Sequence, residues 1–407
     1  MSVLNPLHFP GRHARPSPAG PGSALGLVDP TDEAALPAPP VPGPSLHHRF
    51  VVVSELWDQP RQEASFVLRA LAGALSRMGR TDVLVPGDPG PARRDGGVDV
   101  WTTGSSEGWP VAGTPPHPLL VEDPSRVTAL VHLAEAEAVD YVWRSAPGVT
   151  VVALTDASDA EEDDEVDPAV AAGGRRPDAY ITAVAPDQVD AALAVPLADA
   201  LVHGVGVHVA VDPAAGSGHH ADPGVRDYVL VLADHPENEP HGAAVPRGQS
   251  LTPAAAWLAG QFAGHNLVVV ESARASAWRG RTLCEVIPVQ DRTDLWHLMA
   301  NARTIVDLDP GSVLGRECVE SLRLGTPIIV PDGSSGARHA AAGGGLTYRD
   351  VPDLLAAVEQ LGDDRLRRQL AADGRELADR LYGDQEGFVQ RMRGALASIG
   401  VPAAAAS

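Results

Sequence analysis

Glu317 and Glu320 stand three residues apart in "GRECVESLRLGTPIIVPDG", residues 315 to 333, which reads as a helix, a Gly-Thr-Pro break and an apolar strand. That spacing puts both carboxylates on one helix face. Four places beyond Glu320 stands Leu324, so no cation follows where a helical glutamate usually finds its partner. The ordinary expectation for such groups is solvation at the surface. Just upstream, Ser312 is a suitable N-cap that would leave the amides of Val313, Leu314 and Gly315 at the helix start. A helix end projecting from the carboxyl end of a strand, here "TIVDLD", is suited to hold an anion.

Other groups of reactive residues are weaker. "HPENEPH" sets His235, Glu237, Glu239 and His241 at alternate positions, but no helix or cysteine would scaffold a metal there, and a polar loop is expected. "DASDAEEDDEVD" (156–167) gathers carboxylates without the glycine and spacing of a calcium loop. Arg69, Arg77 and Arg80 form a basic stripe on the first helix, expected to be solvated. No residue declares itself as a catalytic acid, base or nucleophile, and neither a metal nor an organic cofactor is called for.

Composition narrows the classes further. The net charge of −22 excludes the basic face that nucleic acid or an anionic membrane requires. All 31 basic residues are arginine, which removes a P-loop, a Schiff base and any lysine general base. Cys284 and Cys318 make neither a disulfide framework nor a metal spacing, no apolar run is long enough for an integral membrane segment, and the Pro/Gly-rich opening is unlike a secretory leader. A cytoplasmic protein is expected.

The elements that must position these residues follow an α/β pattern. Residues 1–46 are a Pro/Gly-rich tail with isolated apolar anchors, suited to docking on its own domain, a second copy or a partner protein. "RFVVV", a helix over "RQEASFVLRALAGALSRMG" and the strand "TDVLV" make a βαβ unit and hence a parallel sheet. "VDVWTTG", "HPLLVED", "VTVVALTD" and "DAYITAV" read as further strands, with a helix from about Ser125 to Ser145. The pattern restarts after a polar linker, with strands "DYVLVLAD", "NLVVVES", "CEVIP" and "TIVDLD", helices near 253–262 and 291–301, and three helices at the end. The expected organisation is a tail (1–46), an N-terminal domain (47–211), a linker (212–224), a C-terminal domain (225–383) and a C-terminal helix (384–407) returning to the first domain. Two Rossmann-like, doubly wound α/β domains facing a central cleft would bind ligand at the carboxyl ends of their strands.

The order strand, small-residue turn, helix with Glu320, "GTPIIV" and "GSSGARHAAAGGGLTYRD" resembles the C-terminal half of GT-B type glycosyltransferases, family 4 in particular. "EASFVLRALAGALSRMG", "HGVGVHVAVDP" and "QDRTDLWHLMANARTIVDLDP" extend the likeness over about residues 48 to 397. The resemblance implies transfer of a sugar from a nucleotide-sugar donor, with retention, to an acceptor it does not name. It places Glu320 on the donor ribose and Ser312, Val313, Leu314 and Gly315 at its phosphates. The chain departs from the family where Ser312 replaces the first motif glutamate, where "LADHPENEPHG" lacks the arginine and lysine for the diphosphate, where "WDQPRQE" lacks the glycine loop, and where Thr155 replaces a histidine. Arg316, Arg338 beside His339, and Arg274 are the cations placed to take over the diphosphate. A GT-B-shaped protein that has lost transfer and serves as a binding or assembly subunit is the alternative expectation.

Overall fold

Apolar runs of four to six residues form two separate sheets in the computed structural model, which describes residues 48–59, 63–105, 108–133, 135–154, 177–186, 202–212, 228–232, 266–270, 284–289, 291–308 and 315–401. The tail, most of the linker, the helix expected near 253–262, the loops 156–167 and 235–241, Thr155, Arg274, Ser312, Val313 and Leu314 lie outside the described residues.

The first sheet contains β1 (Arg49–Val53), β2 (Arg80–Val85), β3 (Arg93–Asp95), β4 (Val98–Thr102), β5 (Val127–His132), β6 (Thr150–Leu154), β7 (Ala179–Thr182) and β8 (Val202–Gly204). Its order is β3-β4-β2-β1-β5-β6-β7-β8, parallel except for β3 against β4. β1 alternates between two cores: Phe50 and Val52 face one, with helix α1 (Glu63–Leu75), while Val51 and Val53 face the other, with helix α3 (Ala136–Ser145). Burial on both faces is why the strand is apolar throughout instead of alternating with polar residues. At the edge, the short charged strand "RRD" blunts further pairing.

Two sequence expectations change here. "HPLLV" is not a strand: His117 caps, and Pro118 opens, the short helix α2 (Pro118–Val121), because proline fits a helix's first turn and the His117 ring accepts the Leu119 amide. The helix expected from Ser125 to Ser145 is instead a 3-10 turn, the fully buried strand β5 and α3. "VTALVH" suits a helix in isolation, but β1 and β6 pair with both of its edges and a core covers each of its faces.

The second sheet, wholly parallel, runs β11-β10-β9-β12-β13-β14, from β9 (Tyr228–Leu232), β10 (Asn266–Val270), β11 (Cys284–Ile287), β12 (Thr304–Asp307), β13 (Ile328–Pro331) and β14 (Gly345–Tyr348). Helix α4 (Arg292–Asn301) covers one face through Leu295 and Met299, and α7 (Val351–Gln360) the other through Leu354 and Val358. Both sheets are therefore Rossmann-like, with helices on both faces.

Between β12 and β13 lies α5 (Arg316–Leu324), the helix of Glu317 and Glu320. It ends at Gly325, whose φ of 78° lies in the left-handed region that favours glycine; the Thr326 amide then returns to the Ser321 carbonyl at 2.9 Å. Val319 and Leu322 of α5 belong to the same core as Val67 and Leu71 of α1, and Arg316 at the start of α5 lies over Phe66 of α1. After α6 (Ser335–His339), α7 and α8 (Asp364–Tyr382), α9 (Gln385–Ser398) brings Phe388 and Met392 to that core, and Arg391 Nε donates to the Val205 carbonyl at 2.8 Å.

Candidate functional site

Both sheets reverse their strand order at one point, between β1 and β5 in the first and between β9 and β12 in the second. Ligands of doubly wound folds bind at the carboxyl ends of strands at such points. Each point here carries a buried glutamate.

At the second sheet, the cap of α5 is Gly315, with φ 67° and ψ 50°, so Ser312 is not the residue that begins this helix. In the first and second turns of α5, Glu317 and Glu320 are buried, Glu320 with 0% exposure. The expectation of solvated surface carboxylates is thereby overturned, because α5 is covered by the shared core on one side and by two arginines on the other. Arg316, four residues before Glu320, donates from Nε to Oε1 at 2.9 Å. Arg292, the first residue of α4, donates from its Nε to the same oxygen at 3.1 Å. Arg292 Nη2 lies 2.6 Å from Glu320 Oε2, yet among the described residues neither atom has an aligned hydrogen-bond partner. Its Nη1 is 2.7 Å from Glu317 Oε1.

The result is a quartet of two cations and two anions. Burial by itself lowers the pKa of Arg292, but Glu317 and then Glu320 outweigh that effect and hold it above the ordinary arginine value. Burying Glu320 without these partners would cost several kcal/mol. Both arginines keep an open portion, with side chains 19% exposed for Arg316 and 25% for Arg292. The face of Arg316 lies 3.8 Å from the ring centroid of Phe66 on α1. Arg338 is half-buried on α6, which packs beside α5: a Cβ on Gly336 would meet Cys318 Sγ at 3.0 Å. His339 is buried, with its ring edge-on to Tyr382 at 5.4 Å, and so serves the core.

At the first sheet, Glu135 follows β5 and is 6% exposed. The Ser54 hydroxyl, just past β1, donates to Oε1 at 2.5 Å, and the Glu55 amide donates to Oε2 at 2.5 Å. Burial pushes this carboxyl up; the bonds from Ser54 and Glu55 pull it back, and it settles at about 7. The next turn is filled by Trp57, whose indole donates to Asp95 at 3.1 Å beneath the Arg69 guanidinium, 4.5 Å above the ring. Arg69 also reaches Asp95, while Arg77 and Arg80, beyond the end of α1, are exposed as expected, Arg80 lying 3.0 Å from the buried Asp82.

Arg292, Phe66, Ser54 and Glu135 were not indicated by the sequence pattern. The available signal for Arg316 was its place four residues before Glu320. Nothing local marks Arg292, whose partner is 28 residues away, or Glu135, which is 81 residues from Ser54.

Among the described residues no cluster of His, Cys, Asp or Glu could hold a metal ion, and no helix is long and apolar enough to cross a membrane. No protein-family model and no curated sequence matches the chain. Solved structures do match. Sucrose-phosphate synthase from Thermosynechococcus elongatus superimposes with a TM-score of 0.60 at 15% identity, covering 87% of this chain and 99% of that one. HepE of Anabaena, in complex with UDP and glucose, gives 0.59 at 12% identity over 86% of this chain and 100% of its own. A putative UDP-N-acetylglucosamine 2-epimerase from Listeria monocytogenes gives 0.52 at 12%, over 88% and 98%. The chain has the GT-B fold. Within this GT-B fold the neighbours' names span both a synthase and an epimerase, so the fold does not select the reaction.

Proposed function

We propose that the protein is a glycosyltransferase that uses a nucleotide-sugar donor, with Arg316 and Arg292 as the cations that receive the diphosphate. The single observation carrying this reading is the attachment of both guanidinium groups to one fully buried carboxylate, at the start of the helix after β12. As the glycosidic C–O bond to the diphosphate breaks, the leaving nucleoside diphosphate gathers negative charge, and preorganised cations there lower the barrier most. With no lysine in the chain, arginine is the side chain that carries a permanent positive charge there. Glu320 fixes the two guanidinium groups; with its carboxylate occupied by arginines, we assign it orientation of the cations ahead of direct contact with the ribose. The amides at Ser312–Gly315 and the side chains of Arg338 and Arg274 belong to the outer part of the same donor site. Transfer proceeds with retention, and the acceptor approaches from the first sheet.

A second reading, a binding or assembly subunit without transfer chemistry, is favoured by one specific feature. Trp57, Arg69 and Asp95 fill the turn after β1 where the resembling family has a glycine loop. One experiment separates the two. A thermal-shift panel of UDP, GDP, ADP and their glucose and N-acetylglucosamine conjugates is followed by assay for released nucleoside diphosphate. Binding only the native state raises stability by about 2.7 kcal/mol at a hundred times Kd. Stabilisation with release supports the transferase, stabilisation without release supports the binding subunit, and no stabilisation by any compound removes both donor-site readings.

A further inference from the structure

Phe66 is the one aromatic ring that the first sheet's helices are seen to lay against the donor-side quartet among the described residues, and the quartet's own ion pairs do not account for it. It lies half-buried on α1, and its ring centroid is 3.8 Å from the Arg316 guanidinium carbon. A guanidinium offers two independent recognition surfaces, its face and its edges. The Arg316 face lies on Phe66 and its Nε edge is committed to Glu320 at 2.9 Å. Those two contacts fix the plane of the group and the direction of its terminal nitrogens.

We propose that Phe66 is a positioning residue for donor recognition: from α1 it holds the Arg316 guanidinium in the orientation that meets a nucleoside diphosphate. This rests on the donor site proposed above. Its consequence is that the acceptor-side half of the chain contributes to donor affinity through an aromatic face, without touching the donor. A flexible arginine would have to be ordered on binding, and stacking removes that cost beforehand. Cation–π contacts of this kind correspond to about two- to thirtyfold in an equilibrium constant, depending on exposure.

The test is calorimetric titration of whichever nucleoside diphosphate the wild-type protein binds, and of the matching nucleoside without phosphates. Phe66→Leu removes the ring at similar volume; Phe66→Tyr keeps it; Phe66→Met is a second non-aromatic variant should the leucine protein fold poorly. The expected result is diphosphate affinity weakened about three- to tenfold in Leu and Met and nearly unchanged in Tyr, with nucleoside affinity equal in all four proteins. Equal diphosphate affinity in wild type, Leu and Met would overturn the role of Phe66 while leaving the donor site intact. Parallel loss for nucleoside and diphosphate would also overturn it, by showing general damage. Absence of diphosphate binding in the wild type would instead defeat the donor-site reading itself.

Discussion

Glu320 and Glu135 occupy corresponding places in their two sheets, past a strand at the point where strand order reverses, and both are nearly sealed from water. Their surroundings differ in kind. Glu320 lies against two guanidinium groups, whereas Glu135 has a hydroxyl and a backbone amide. Full charges compensate the burial of a carboxylate. Neutral dipoles compensate only in part, and the Glu135 carboxyl is left titrating near neutrality, at about 7. The first arrangement suits a fixed electrostatic site; the second ties down the turn after β1 and makes it sensitive to pH.

The largest effect should come from breaking the quartet. Arg292→Ala leaves Glu317 and Glu320 with one cation fewer and should destabilise the protein by about 3–5 kcal/mol, the usual cost of orphaning a buried charge. Chemical denaturation measures it. The double variant Arg292→Met/Glu320→Leu should recover part of that loss, since replacing both members of a buried pair by apolar groups is often neutral. A double variant no better than the single one would mean that the carboxylate is not the source of the cost.

Glu135 offers the next largest effect. Its carboxyl lies at about 7 in the folded chain against an ordinary 4.5, so the native state binds the proton more tightly than the unfolded state. The associated stability is fully present below pH 4.5 and is lost as pH rises to about 7. At about 1.4 kcal/mol per pKa unit this amounts to about 3 kcal/mol between those limits. Glu135→Gln should abolish that component. Unfolding free energies of both proteins from pH 5 to 8 should diverge with rising pH, in favour of the glutamine variant; parallel profiles would contradict the assignment. A smaller change follows from Ser54→Ala. Losing its hydrogen bond should cost about 1–2 kcal/mol and move the Glu135 midpoint further up, because that bond favours the carboxylate. Proton titration by NMR of the Glu135 carboxyl carbon would show the shift.

Much of the fold was legible from residue pattern alone. Runs such as "RFVVV" and "TIVDLD" announce buried parallel strands because both faces must be apolar. "VTALVHLAEAEAVDYVW" concealed a strand followed by a helix, since valine, alanine and leucine serve both and only the flanking strands decide. The site was legible in two members. Glu320 is marked by the Gly-Thr-Pro turn that follows it, and Arg316 by helical spacing. Arg292 and Phe66 come from other elements, and no local rule connects them to α5. Glu135, within "AEAEAV", looks like a solvated helix glutamate until β1 is placed beside β5.

The proposed donor site requires that Arg316, held by Glu320, bind a diphosphate. Its most direct test is isothermal titration of the preferred nucleoside diphosphate into wild type and Arg316→Met, with the parent nucleoside as reference. Hydrogen bonds to charged groups are worth about 1.5–3 kcal/mol, so the account predicts a loss of about ten- to a hundredfold in diphosphate affinity with nucleoside affinity preserved. Undiminished diphosphate binding by a folded Arg316→Met protein would contradict it.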